Sequence, residues 1–263
     1  MGHWYTTTGQ AMHTVIGKNG NERDTTLRDA RKLNLIPSVT TQLGVYANEG
    51  LTNWRIGSAI SAAYSNPPFA SEDAKAYHKR ILSQGKERSE GIMQFGTMVH
   101  DAIEKALSGK EGWDEVVVVP TTGEQHHLAS FVNPVVELFA DNNWNPVELE
   151  HTLVGHGYAG TADVIYTGKE EYGIIDFKTT ETVDKPEKWL VKRDYPAQIA
   201  LYHEAEHNGI GDKAAGYNIF ISRSQPGAVK VVRFDAERLR DELAFAKLAV
   251  ASWQAINKYT PEQ

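Results

Sequence analysis

Three segments with strand character follow one another closely in the middle of the chain, and their order restricts the fold more than any other feature. They are residues 147–154, 159–167 and 172–179, with glycine-containing turns between them. The segments that follow are a helix near 195–207, strands near 214–222 and 228–234, and a helix from 236 to about 257. This order predicts an α/β core in which a mixed central sheet carries helices on its faces.

Helical patterns dominate the residues before these strands. Between residues 91 and 107, apolar residues recur every three or four positions, as they do on one buried helix face. Earlier helices are predicted near 51–64 and 71–88, on either side of Asn66-Pro67-Pro68. The other predicted elements are a strand at 116–119 and a helix at 124–142. We therefore expect a mainly helical N-terminal extension of residues 1–90 and an α/β core of residues 91–263.

The turn between the second and third strands determines which residues face each other. If the turn is residues 168–171, the two numbers of every opposed pair add up to 339, and Asp163 and Asp176 form such a pair. Opposed side chains on one face of antiparallel strands lie about 4.5–5.5 Å apart. Lys178 follows Asp176 by two positions, so strand alternation puts it on the same face. The hairpin is therefore expected to present two carboxylates and a lysine together.

Two facing carboxylates inside a sheet repel each other, and burying them without a partner is unfavourable. A divalent cation between them removes this penalty, and hard oxygen ligands suit Mg²⁺ or Mn²⁺. The alternative is a surface hairpin with incidental charges, but both strands are rich in Val, Ile, Tyr and Phe, which indicates a central position. The sequence therefore predicts a site for one or two Mg²⁺ or Mn²⁺ ions.

The amino-acid composition excludes several kinds of catalytic and metal site. The chain has no cysteine, which excludes disulfides, thiolate zinc sites, a cysteine nucleophile and a cysteine-ligated iron–sulfur cluster. The formal charge is −7, so attraction for a nucleic acid would have to come from a local basic groove. We find no signal-peptide pattern and no apolar run near the ~20 residues that span a bilayer. We therefore expect a cytoplasmic protein without a membrane partner.

The motifs around the hairpin resemble those of the PD-(D/E)XK nuclease superfamily. Asp163 and the later Asp176-Phe-Lys178 are similar to its signature. Gly-Thr-Met-Val-His100-Asp-Ala-Ile-Glu104 and Gln198-Ile-Ala-Leu-Tyr202 resemble the additional motifs of its RecB-type branch. The resemblance covers roughly residues 91–235 and implies a restriction-endonuclease-like core. Related branches with an iron–sulfur cluster use four cysteines, so this chain resembles the cluster-free, phage-type recombination exonucleases.

The resemblance implies a role for each matched residue. The implied metal ligands are His100, Asp163, Asp176 and the backbone carbonyl of Phe177. Lys178 is implied to be catalytic together with the two aspartates. The helix that carries Gln198 and Tyr202 is expected to pack beside the site or to contact the nucleic acid; the alternative is an ordinary amphipathic helix.

Two glutamates are further candidates for a supporting role. Glu104 lies one helical turn after His100, either next to the metal ligands or in solvent. Glu150 lies on the strand before the hairpin, where it is either another carboxylate near the metal or an exposed residue of an edge strand. A lone histidine on a helix, such as His100, is more often a polar residue near a core. The hairpin that follows it favours the metal-ligand interpretation.

The densest basic run of the chain follows the Asp176-Phe-Lys178 strand. Its members are Lys185, Lys188, Lys192 and Arg193. Because the run connects that strand to the helix of Gln198 and Tyr202, we predict that it contacts the phosphates of the substrate. The alternative is a solvated helix face.

These observations predict a metal-dependent nuclease that hydrolyses DNA phosphodiester bonds. An exonuclease of recombination, repair or phage DNA processing fits the resemblance best, with a phage or bacterial recombination protein as a candidate partner. The alternatives are a restriction-type endonuclease and a catalytically inactive nucleic-acid-binding protein of the same fold. The retention of His100, Asp163, Asp176 and Lys178 argues against loss of activity.

Overall fold

A five-stranded mixed sheet forms the centre of the protein. The computed structural model describes residues 2–46, 49–184 and 193–262, with the backbone alone for residues 49–51, 54 and 55. The sheet strands are β7 (Asn145–Gly155), β8 (Tyr158–Thr167), β9 (Tyr172–Thr180), β10 (Ala214–Ser222) and β11 (Val229–Phe234). They lie in the order β11-β10-β9-β8-β7, and β9 and β10 are parallel while the other neighbours are antiparallel. The predicted mixed sheet is confirmed.

Helices cover both faces of this sheet. The helices of the core are α4 (Ala74–Leu107), α5 (Ala129–Asp141), α6 (Asp194–His207) and α7 (Ala236–Asn257). The buried face of α4 packs with α5 against one side of the sheet, around Phe95, Phe131 and Phe177. On the other side, α6 and α7 pack against residues such as Ile174 and Phe220. The sheet residues on both faces are apolar because both faces are covered.

The N-terminal residues form several short elements and one helix of 17 residues. They are β1 (Trp4–Tyr5), β2 (Thr14–Ile16), β3 (Glu22–Asp24), α1 (Leu27–Leu33), β4 (Ile36–Pro37), α2 (Val39–Leu43) and α3 (Glu49–Ser65). Ser38 caps α2 and accepts a hydrogen bond from the backbone N–H of Thr41. Trp4 packs edge-on against Trp253 of α7, and Gln42 donates to the carbonyl of Gly157. Residues 2–46 are thereby attached to the core.

Two parts of the chain differ from their sequence-based predictions. The helices predicted at 71–88 and 91–107 are the single helix α4, because no proline separates them and one glycine costs only about 1 kcal/mol in a helix. The predicted boundary between residues 90 and 91 therefore falls inside α4, and the division into an extension and a core stays a prediction. The helix predicted at 124–142 begins at Ala129. The preceding residues form β6 (Gln125–His127), which pairs with β5 (Val116–Val118). This pairing satisfies backbone hydrogen-bonding groups of β6 that a helix would otherwise have to satisfy.

None of the helices in the described ranges combines the length and the apolar composition that crossing a lipid bilayer requires.

Candidate active site

The hairpin of β8 and β9 has the predicted register. Gly168 and Glu171 close the turn, and the ladder runs from the pair Thr167 and Tyr172 to the pair Val164 and Ile175. It ends one pair before Asp163 and Asp176. There, the Oδ2 atom of Asp163 accepts a hydrogen bond from the backbone N–H of Phe177 at 2.6 Å. The two strands therefore separate where the predicted site begins.

Four neighbouring strands contribute one polar residue each to a row across the sheet. Leu149 pairs with Val164 and His151 with Ala162, so the register of β7 and β8 places Glu150 opposite Asp163. On the other side of β9, Asn218 of β10 pairs in register with Asp176. We call Glu150, Asp163, Asp176 and Asn218 the polar row. The sequence predicted its first three members as site residues, and Asn218 was missed.

Glu150 has an unusual backbone conformation for a strand residue. Its φ angle is 47°, in the left-handed region that non-glycine residues rarely adopt. Such conformations persist where the surrounding structure holds them, and they are concentrated at functional sites. Here, paired residues on both sides of Glu150 hold it in place.

His100 reaches the row from helix α4. A Cβ atom at Gly96, one turn earlier, would lie 2.9 Å from the Oγ1 atom of Thr179, so the glycine allows α4 to lie close against β9. The Nδ1 atom of His100 is 3.7 Å from Oδ2 of Asp163. Its ring also packs edge-on against Phe177, with 5.7 Å between the ring centroids. Helix packing thus brings His100 to the hairpin from a distant part of the sequence.

His100, Glu150 and Asp163 form a group that fits a divalent cation. Each offers one ligand atom, and these three atoms all lie within 4.8 Å of one another. One imidazole nitrogen and two carboxylate oxygens form a donor set suited to divalent metal ions, with the oxygens favouring a hard cation. Asp176, a predicted ligand, is not in this group, and the Phe177 carbonyl stays a prediction. Glu150 thus lies closer to His100 and Asp163, the other two candidate ligands, than the sequence indicated.

Asp176 begins a chain of polar contacts that leads to helix α6. Its Oδ2 atom lies 2.6 Å from Nζ of Lys178, and this lysine donates to Oε1 of Gln198 at 3.3 Å. Gln198 in turn donates to the hydroxyl of Tyr202 at 3.1 Å. A Cβ atom at Gly160 would lie 2.7 Å from that hydroxyl, so the helix approaches β8 closely. Lys178 is therefore held in one position by contacts from both sides.

Burial and mutual charge change the pKa values of these groups. Burial, with the neighbouring Asp163, raises the pKa of Glu150 to about 7. Burial also raises the pKa of Asp176 to about 6, although Lys178 opposes this. For His100, burial lowers the pKa, but Asp163 and Asp176 outweigh it and the net pKa is raised. These shifts favour protons on buried groups, and a bound cation would displace such protons.

Burial and the neighbouring charges shift the pKa values of Asp163 and Lys178 in opposite directions. Burial raises the pKa of Asp163, but His100 and Lys178 outweigh it, so the pKa of this carboxyl is lowered overall. Burial lowers the pKa of Lys178, but Asp176 and Asp163 outweigh it, so the pKa of the ammonium group is raised. Asp163 is thus held as a carboxylate and Lys178 as a cation, as their predicted roles require.

Glu104 and Arg193 form ion pairs with residues outside the polar row. Glu104 forms an ion pair with Lys110 across 3.2 Å. The Nε atom of Arg193 lies 2.9 Å from the buried Glu242, and its guanidinium lies over the ring of Phe245 at 4.2 Å. The other three members of the basic run, Lys185, Lys188 and Lys192, lie outside the described residues. Nucleic-acid binding by this run stays a prediction.

A sequence signal for Asn218 exists but is weak. All nine residues of β10 are buried. Apart from a tyrosine, Asn218 is one of two residues in this strand with a polar side chain. A buried polar residue in an apolar strand requires a partner. Its partner could not be identified from the sequence, because the register of parallel strands is not set by a turn.

The described structure combines a mixed sheet between two helical layers with a histidine, carboxylates and a lysine at one level of the sheet. This is a restriction-endonuclease-like fold with a candidate metal site. The sequence model of the PD-(D/E)XK nuclease superfamily matches residues 69–262, and the chain belongs to that superfamily. The superfamily consists of nucleases that use divalent metal ions.

Other comparisons add little. A solved structure titled "Crystal structure of SSO0001" is similar over 45% of this chain and 56% of that chain, with 16% sequence identity and a TM-score of 0.25. No curated protein sequence matches the chain.

Proposed function

We propose that this protein is a Mg²⁺- or Mn²⁺-dependent deoxyribonuclease of the RecB-like branch that degrades DNA from its ends. The observation that carries the proposal is the grouping of His100, Glu150 and Asp163 beside the Asp176–Lys178 pair. A carboxylate-rich metal group next to a fixed lysine is the arrangement that phosphodiester hydrolysis needs. Recombination, repair or phage DNA processing is the proposed setting.

The residues divide into two roles. His100, Glu150, Asp163 and Asp176 would hold one or two cations, and the Phe177 carbonyl is a further proposed ligand. A bound divalent cation supplies Lewis acidity that activates water and neutralises charge on the scissile phosphate. Lys178 would donate a hydrogen bond to the attacking water or to a phosphate oxygen.

Helix α6 supports the proposal of end-directed cleavage. Gln198 and Tyr202, four residues apart, form one hydrogen-bonded line with Lys178, as expected if the Gln-x-x-x-Tyr motif belongs to the site. Tyr202 is buried, and burial raises its pKa above the usual value, so it stays a neutral hydrogen-bonding group. These contacts hold the lysine towards the aspartates, and the proposed exonuclease activity rests on the resemblance of this motif to end-processing nucleases.

A cleavage assay tests the proposal. Linear duplex, nicked, covalently closed circular and single-stranded DNA, with single-stranded RNA alongside, are incubated with MgCl₂, MnCl₂ or EDTA. We expect digestion of linear DNA with either metal and none in EDTA, with the closed circle left intact. Cutting of the closed circle would instead identify an endonuclease. Binding without cleavage under every metal condition would identify an inactive nucleic-acid-binding protein.

A further inference from the structure

Asn218 is the member of the polar row that has no role in the proposed chemistry. It lies in the middle of β10 with none of its surface exposed. Its Nδ2 atom is 2.8 Å from Oδ2 of Asp176 and 3.3 Å from the backbone carbonyl oxygen of the same residue. A single amide therefore holds both the side chain and the backbone of Asp176.

The other end of the same amide is unsatisfied. Within the described part of the chain, the Oδ1 atom of Asn218 is buried and has no hydrogen-bond partner. Rotating the amide by 180° would not help, because its carbonyl oxygen would then face the Asp176 carboxylate. A buried polar atom without a partner destabilises the folded protein. An apolar residue of similar size would avoid this penalty, so the asparagine is better explained by its contact with Asp176 than by packing.

The contact distinguishes the two oxygens of the Asp176 carboxylate. The Oδ2 atom accepts a hydrogen bond from Nδ2 of Asn218 and lies 2.6 Å from Nζ of Lys178. Among the described residues, the Oδ1 atom of Asp176 accepts no hydrogen bond. With two donors on one oxygen, rotation of the carboxylate would break both contacts. Oδ1 is therefore the oxygen that is left for a cation.

We propose that Asn218 is a positioning residue that fixes the carboxylate of Asp176, so that Oδ1 serves as a metal ligand while Lys178 stays on Oδ2. The inference rests on the proposed metal-dependent nuclease function, and it adds a specific residue on β10 to that site. Asn218 acts through Asp176 and touches neither the substrate nor the reacting atoms. Its loss should therefore weaken the binding of metal while leaving the reaction at saturating metal close to that of the wild type.

The test compares Asn218→Leu with Ile219→Ala. The leucine matches the asparagine closely in volume and donates no hydrogen bond. Ile219 is the next residue of β10, is also fully buried and packs on the opposite face of the sheet. Its truncation damages packing without touching Asp176. For both variants and the wild type, Mn²⁺ binding without substrate is measured by calorimetry, and the unfolding midpoint by thermal denaturation. The Mn²⁺ half-saturation and kcat of DNA cleavage are then determined.

For Asn218→Leu we expect about tenfold weaker Mn²⁺ binding, the size of effect produced by one charge-assisted hydrogen bond. The Mn²⁺ concentration that gives half-maximal DNA cleavage should rise in parallel, while kcat stays close to that of the wild type. The unfolding midpoint should be unchanged or higher. Ile219→Ala should show a lower midpoint and unchanged Mn²⁺ affinity. Wild-type Mn²⁺ affinity in Asn218→Leu would overturn the inference, as would a loss of affinity in Ile219→Ala of the same size. If the wild type neither bound Mn²⁺ nor cleaved DNA, the proposed function itself would be rejected.

Discussion

The carboxylate of Asp163 accepts a hydrogen bond from the backbone N–H of Phe177 at 2.6 Å, where the ladder between β8 and β9 ends. In a continuous antiparallel ladder, a backbone carbonyl would be the acceptor. A side chain takes that place here, and the same carboxylate belongs to the group that fits a cation. Asp163 therefore couples the end of the hairpin to the candidate metal site.

Two substitutions of Asp163 separate its structural contact from its chemistry. Asp163→Ala leaves the Phe177 N–H without its acceptor, and we expect the free energy of unfolding to fall by about 1–3 kcal/mol. Asp163→Asn keeps an oxygen acceptor and should be closer to wild type in stability. Both should lose DNA cleavage, because neither provides a carboxylate ligand. Urea denaturation and digestion of linear DNA check these outcomes, and wild-type digestion by either variant would contradict the assignment.

Lys178→Met tests the role of the lysine in catalysis. Lysine provides a charge and hydrogen-bond donors but is not a ligand for a hard cation. We expect the cleavage rate at saturating metal to fall by about two orders of magnitude or more, as on removal of one transition-state donor. Calorimetry should show that Mn²⁺ still binds. A variant that lost metal affinity but cleaved at the wild-type rate with excess metal would reverse the two roles.

Glu150→Gln and Glu150→Gly form a matched pair. Both remove a carboxylate from the candidate metal site of His100, Glu150 and Asp163, so both should weaken Mn²⁺ binding in calorimetry. The two should differ in stability, because residue 150 has a φ angle of 47° and glycine adopts this conformation without strain. We expect Glu150→Gly to be more stable than Glu150→Gln by about 1 kcal/mol. Wild-type metal affinity in both variants would place Glu150 outside the site.

His203 should make the stability of the fold depend on pH. Burial lowers its pKa to about 4, although its ring nitrogen contacts the carbonyl of Ala215. Between this value and the ordinary pKa near 6.5, the unfolded chain binds a proton that the folded chain does not. Stability from this group is therefore present above about pH 6.5 and falls as the pH is lowered towards 4, by about 2 kcal/mol between pH 7 and pH 5. Urea denaturation at both pH values, with His203→Gln as the comparison, isolates the effect; an equal decrease in both proteins would exclude it.

The basic run is predicted to bind substrate. Each phosphate contact adds a salt slope of roughly −0.9 on duplex or −0.7 on single-stranded DNA. Replacing Lys188 and Lys192 with glutamine should therefore weaken DNA binding and reduce the slope by about one to two units, with the rate at saturating DNA nearly unchanged. Fluorescence anisotropy over a salt series measures this. Arg193→Gln should in addition lower the unfolding midpoint, because Arg193 pairs with the buried Glu242. An unchanged affinity and slope in the lysine double variant would show that those lysines are a solvated surface.

The sequence alone determined the register of the hairpin and, with it, the positions of three candidate site residues. The turn at residues 168–171 sets the register through chain connectivity, so the positions of Asp163, Asp176 and Lys178 could be derived from spacing and strand alternation. The elements from residue 145 onwards also follow local patterns, and each predicted strand and helix there lies close to its observed bounds. Local spacing is sufficient to predict which residues meet when those residues are close neighbours in the sequence.

The tertiary structure decided the contacts between distant segments. Only the packing of α4 on β9 brings His100 to Asp163, and only the folded structure shows that Glu150 lies within reach of both. The parallel pairing of β9 and β10, which no turn specifies, places Asn218 beside Asp176. Likewise, packing between α6 and α7 pairs Arg193 with Glu242. Such contacts depend on how helices and non-consecutive strands pack around the shared core, and short-range periodicity carries no information about that arrangement.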